Sequence, residues 1–231
     1  MRVEEKMEAM FALQERLNDE TNGQAWRDGV TKNGKRINWR RCIVMEVAEL
    51  IDSLPWKHWK NIEGDLDLEN IRIEVVDIWH FVMSELLRLE SLQKATERSL
   101  LCRGGASTPL PERWRREDDR RLEAYVAPFE RLMGLALEPH EDEAWRNAMV
   151  SQFWACMDAS GMRFGELYRL YIGKNALNRF RQLHGYKTGT YRKIWNGRED
   201  NAVMQEILAD EPDIDFDALM SRLARRYAEV G

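Results

Sequence analysis

Two stretches of this 231-residue chain are strongly apolar, and each carries two carboxylates three residues apart. The first is CIVMEVAELI, residues 42–51, with Glu46 and Glu49; the second is IRIEVVDIWHF, residues 71–81, with Glu74 and Asp77. A spacing of three puts both members of a pair on one helical face. The flanks are Ile43, Val44, Val47, Leu50 and Ile51 in one case, and Ile71, Val75, Val76, Ile78 and Trp79 in the other. Helices apolar on most of their circumference belong at the centre of a fold. The fold must therefore bury these two helices and still compensate four acids, because an unpaired buried carboxylate is costly or keeps its proton.

The rest of the chain reads as further helices. Apolar spacing predicts one over residues 3–19, ended by the Asn22-Gly23 turn signal, with Gln14 and Asn18 on its apolar stripe. A second runs from Asn38 as N-cap to about Leu54, where Pro55 disfavours continuation, and a third from about Leu68 to Leu92. Residues 102–121 hold Gly-Gly, two prolines and a charge run, and read as a linker or mobile excursion. Helical patterns return at about 122–137, 142–159, 163–183, 201–210 and 215–229. The reading is a single all-α domain over 1–231, a helical bundle whose central helices bear the acids. Trp145, Phe153, Trp154 and Met157 share one helical face and suggest an interface.

Composition removes several alternatives. No apolar run is long enough to span a bilayer, and the N-terminus lacks a cleavable leader pattern, so a cytoplasmic protein is expected. Cys42, Cys102 and Cys156 show no CxxC spacing and read as reduced thiols. The net charge is −5, yet residues 167–198 hold eight Lys and Arg and no acid. A basic segment in an acidic protein marks a local anion site.

The acids carry the chemistry. One ExxE is an ordinary surface pair; two pairs inside hydrophobic helices, with almost no Lys or Arg nearby, ask for a divalent cation. An all-carboxylate set suits Mg²⁺ or Mn²⁺, and four ligands allow a two-metal arrangement. Asp77-x-x-His80 has the spacing of a di-iron motif, but it occurs once, so di-iron is a minor option. In the basic segment Lys174, Asn178 and Arg181 share a helical face, with Tyr186, Lys187 and Lys193 on glycine-bearing loops. Such a group suits a polyphosphate. It suits nucleic acid equally, because Phe180, Tyr186, Tyr191 and Trp195 are interleaved with the cations. Gln14 and Asn18 are core amides that need partners, which a base, a cap or water could supply.

The segments LNDETNG (17–23), WRRCIVMEVAELIDSLPWKHWKN (39–61), NIRIEVVDIWHF (70–81) and YIGKNALNRFRQLHGYKTGTYRKIWNGREDN (171–201) closely resemble the dimeric dUTPases, all-α enzymes of the all-α NTP pyrophosphatase superfamily. The resemblance is thin between about 93 and 160. It implies Mg²⁺-dependent hydrolysis of dUTP, and of dUDP, to dUMP by a homodimer, with no membrane or nucleic-acid partner. It further implies Glu46, Glu49, Glu74 and Asp77 as metal ligands, with Glu49 also the general base. Lys174, Asn178, Arg181, Tyr186 and Lys193 would bind phosphates. Gln14 and Asn18 would read the uracil edge, Phe81 and a loop aromatic would pack on the ring, and His80 would lie near the sugar. Trp59 is the loop aromatic chosen, with Trp56 and His58 as alternatives. A related pyrophosphatase acting on dCTP or mixed nucleotides, or a metal-containing nucleic-acid-binding module, is the competing expectation.

Overall fold

The computed structural model describes residues 1–60, 63–103 and 107–230. Among the described residues there are nine α-helices and two minimal two-stranded antiparallel sheets, of which one is a hairpin. Helix α1 spans Val3–Asn22, α2 Trp39–Asp52, α3 Leu68–Leu89, α4 Leu92–Leu101, α5 Leu122–Leu137, α6 Glu143–Ala159, α7 Phe164–Leu183, α8 Asp200–Asp210 and α9 Phe216–Ala228. The expected all-α class is what is observed, and none of the described helices is long and apolar enough to cross a membrane.

Side-chain caps set many of the starts. Asn38 accepts from Arg41 N at 2.9 Å to open α2, Asp67 from Asn70 N at 3.0 Å to open α3, Asp142 from Trp145 N at 2.7 Å and Asp215 from Ala218 N at 2.8 Å. Helix α3 is the hub. Its apolar circumference is buried against α1, α2, α6 and α7, and α2 packs along it so that the two acid-bearing faces meet.

Three expectations are corrected. The third helix ends at Leu89, not Leu92, and α4 is a separate helix. Glu90 is extended, its buried carboxylate gripped by Arg98 at 2.8 Å and Arg146 at 3.5 Å, and Ser91 caps α4 through Lys94 N. Residues 102–121 do not form an excursion where they are described. Leu110 and Trp114 are buried, Leu110 N donates to Ala159 O at 2.8 Å, and Arg113–Trp114 pairs antiparallel with Gly64–Asp65. Two apolar side chains inside a charge run are enough to anchor it; the Gly-Gly of that run, Gly104 and Gly105, lies outside the described residues. The apolar face of α6 is not an exposed interface either. Trp145, Phe153 and Trp154 are buried, with Trp79 of α3 stacked on Phe153 at 4.4 Å, and Met157 is half-buried.

The C-terminal elements brace α7. A hairpin pairs Ile194–Trp195 with Arg198–Glu199, turned by Asn196 and Gly197 with φ of 49° and 81°. Both central residues of that turn must be left-handed, which is why Asn-Gly stands there. The hairpin delivers the chain into α8, which lies against α7 at Gly173, where an added Cβ would come 2.4 Å from Met204 Sδ.

Candidate active site

Where α2 meets α3, Glu46, Glu74 and Asp77 offer ligand atoms that all lie within 4.8 Å of one another. Helical spacing places Glu74 and Asp77 on one face of α3, and the packing of α2 brings Glu46 opposite. Burial, then the charges of Asp77, Glu74 and Glu49, push the Glu46 carboxyl up to about 8. Burial, then Asp77 and Glu49, push Glu74 up to about 7. Glu49 is exposed and stands outside the three-acid group, close enough to act on it electrostatically.

Helix α7 supplies the opposing charge. Lys174 is buried and its Nζ lies 2.9 Å from Asp77 Oδ2 and 3.1 Å from Asn201 Oδ1. Two turns on, Arg181 makes a bidentate pair with Asp200, both contacts 2.8 Å, and Asp200 is 0% exposed. Tyr191 donates to Asp200 at 2.8 Å, Asn178 Oδ1 accepts from Arg181 at 3.1 Å, and the guanidinium lies 5.9 Å from the Tyr186 ring centre. Asn201 Oδ1, also 3.4 Å from Arg181, links the two cations. Burial raises the Asp200 carboxyl, but the hydrogen bonds and charge of Arg181, with the hydrogen bonds from Tyr191 and the Asn201 amide, together outweigh it and hold the group below its ordinary range.

The amides of α1 are not open to solvent. Gln14 and Asn18 are buried and bond Ser84 Oγ at 3.0 Å each, while His80 Nδ1 lies 2.6 Å from Gln14 Oε1 and the Tyr171 hydroxyl 3.1 Å from it. Burial, then the charge of Lys174, push the His80 pKa down to about 3, so its ring is neutral. His80 Nε2 is buried without a hydrogen-bond partner. Three residues beyond Asn18, the Thr21 carbonyl accepts from Lys187 Nζ, so the turn between Gly185 and Gly189 closes over that end of α1.

A sequence model of the family described as dUTPase matches residues 6–186. That is well over half of the chain. The chain belongs to the all-α dimeric dUTPase family. No curated protein matches it.

As a member of that family it is a dUTP diphosphatase, and the resemblance read from its motifs is borne out. The residues of this dUTPase fit a hard divalent cation. Three carboxylates converge, two of them hold protons more tightly than usual because they are buried and face one another's charge, and the single ammonium at hand offsets only part of that charge. The di-iron option fails, since His80 turns its Nδ1 to Gln14 and is not among the converging ligands.

Other expected residues stand apart. Lys193 extends into solvent and pairs with Glu199 at 3.6 Å. Trp59 is 62% exposed and touches Trp56 and His58; among the described residues no ring contact joins it to Phe81, which stacks instead on Trp39 at 6.1 Å. Phe180 and Trp195 are buried in an aromatic cluster with Tyr191 and Tyr227, so they offer no stacking platform for nucleic acid. Sequence reasoning missed Asp200, Asn201, Ser84 and Tyr171. For Asp200 and Asn201 there was a signal: Lys174 sits among Ile172, Gly173, Ala176 and Leu177, and a lysine in an apolar helix needs partners as much as a glutamate does.

Proposed function

We propose that the protein hydrolyses dUTP and dUDP to dUMP with Mg²⁺ or Mn²⁺ held by Glu46, Glu49, Glu74 and Asp77, two or more ions per site, as a cytoplasmic homodimer in which each chain is one domain. The observation that carries this reading is the convergence of Glu46, Glu74 and Asp77 in a partly dry site beside a single lysine. The cation, when bound, neutralises anhydride oxygens and acidifies a water.

The chain's own residues do the rest. Glu49, the most exposed of the four acids, orients the attacking water and accepts its proton as the anhydride breaks between the α- and β-phosphates. Lys174 fixes the Asp77 carboxylate. Arg181, held in orientation by Asp200, joins Asn178, Tyr186 and Lys193 around the phosphate chain, where positive charge stabilises the leaving group. The nucleoside sits toward α1, with Gln14 and Asn18 on the uracil edge, Phe81 and Trp59 on the ring and His80 toward the sugar. Closure of the glycine-flanked turn at 185–189 excludes water.

The test is a panel of deoxynucleoside triphosphates with Mg²⁺, scored by pyrophosphate release. The reading expects dUTP to be the best substrate and Glu49→Gln to lower turnover by at least about 100-fold. Equal rates on dCTP, or near-wild-type turnover in the variant, would overturn it.

A further inference from the structure

The polar cluster between α1, α3 and α7 has a direction. Ser84 Oγ donates to the His80 carbonyl one turn earlier at 2.8 Å, a bond that takes its only proton; its next acceptor, Asn18 Oδ1, is farther at 3.5 Å. Toward α1 it is therefore an acceptor, and it receives an N–H from Gln14 at 3.0 Å and one from Asn18 at 3.0 Å. The second N–H of Gln14 goes to Asn18 Oδ1 at 3.2 Å. The Gln14 carbonyl faces the His80 Nδ1–H at 2.6 Å and the Tyr171 hydroxyl at 3.1 Å, a hydroxyl shared with Met10 O at 2.9 Å and itself receiving Asn175 Nδ2 at 3.1 Å. Gln14 thus has both N–H groups and its carbonyl engaged, whereas Asn18 keeps one N–H and one lone pair.

We propose that Ser84 and Tyr171 are positioning residues for base selection: they fix which end of the Asn18 amide meets the base, so that the site accepts uracil and rejects cytosine. This rests on the nucleoside placement proposed above. From position 4 to position 3 uracil presents an acceptor and then a donor, O4 and N3–H; cytosine presents the reverse, an amino group and a bare nitrogen. An N–H beside a lone pair in fixed order matches one of these edges at a given ring pose, and an amide free to turn over matches both. If Asn18 alone turned over, its carbonyl would face the oxygen of Ser84 and its NH₂ would face the NH₂ of Gln14. If both amides turned over together, the Gln14 NH₂ would face the ring N–H of His80, or His80 would have to carry its proton on Nε2, which is buried without a partner. Each helix of the cluster thus contributes one lock, and Gln14 also holds Asn18 in its order.

The experiment measures kcat/KM for dUTP and for dCTP, with thermal midpoints, in the wild type, S84A, S84T and Y171F. The expected result is a dUTP-to-dCTP ratio at least about tenfold lower in S84A, a smaller fall in Y171F, and a retained ratio in S84T, which keeps the hydroxyl. Parallel losses on both substrates, with ratios within about twofold of wild type, are what mere structural support gives and would overturn the proposal. A fall in S84T equal to that in S84A would also count against it. Should S84A fail to fold, Y171F decides alone. A wild type that hydrolyses neither nucleotide overturns the functional reading itself; one that prefers dUTP while the variants keep that preference overturns only the lock.

Discussion

Glu46 and Glu74 hold their protons to about 8 and about 7, where an unperturbed glutamate releases its own near 4.5. The folded chain binds these protons more tightly than the unfolded one, so the stability they contribute is present at low pH and lost as pH climbs through those values. We therefore expect the metal-free protein to unfold at lower urea concentration at about pH 8 than at about pH 6. Saturating Mg²⁺ should remove the difference, and Mg²⁺ affinity, read by calorimetry, should rise over the same window as the cation replaces the protons. A fall in affinity with rising pH would contradict this. Asp200 makes the opposite case, a carboxylate that holds the Arg181 guanidinium and also accepts from Tyr191. Truncating it strands Arg181 in the interior, and Asp200→Ala should cost about 3–5 kcal/mol in denaturant unfolding. A loss below about 1 kcal/mol would show the pair to be solvated.

Between elements, the contact that matters most for the site is α7 against α8. Gly173 precedes Lys174, and the lack of a Cβ lets Met204 and Leu208 close in, which brings Asn201 to the lysine and Asp200 to Arg181. Gly173→Ala should overpack this seam, cost about 1–3 kcal/mol and lower dUTP turnover along with stability. Unchanged stability would mean that the side chains of Met204 and Leu208 turn aside freely. Most elements were legible because caps and apolar spacing agree: Asn38, Asp142 and Asp215 stand where caps belong, and each does cap. The break at Glu90–Ser91 was missed: its local mark is a lone cap residue, Ser91, and it is fixed by Arg98 and Arg146 arriving from α4 and α6 to bury the Glu90 carboxylate. The α6 face was misread for a related reason. A tryptophan-rich stripe looks the same in sequence whether it meets another chain or Trp79 of its own.

For the molecule as a whole, the acid centre was readable since two helices showed the same conflict between burial and charge, and only convergence could resolve it. The surrounding polar network was not readable. Ser84 and Tyr171 are unremarkable letters whose roles come from three helices meeting, and Asp200 was hidden two residues past the end of an acid-free segment. If the family's dimer holds for this chain, sedimentation will give one species of twice the chain mass, and a monomer retaining full activity would contradict it. In the proposed mechanism Glu46, Glu74 and Asp77 converge for a cation and not for the fold. That is tested most directly by Mg²⁺-dependent pyrophosphate release from dUTP by a folded E74Q variant. The account predicts a loss on the order of 10²- to 10³-fold with metal-free stability equal to or above wild type; turnover within a few-fold of wild type at the same Mg²⁺ would contradict it.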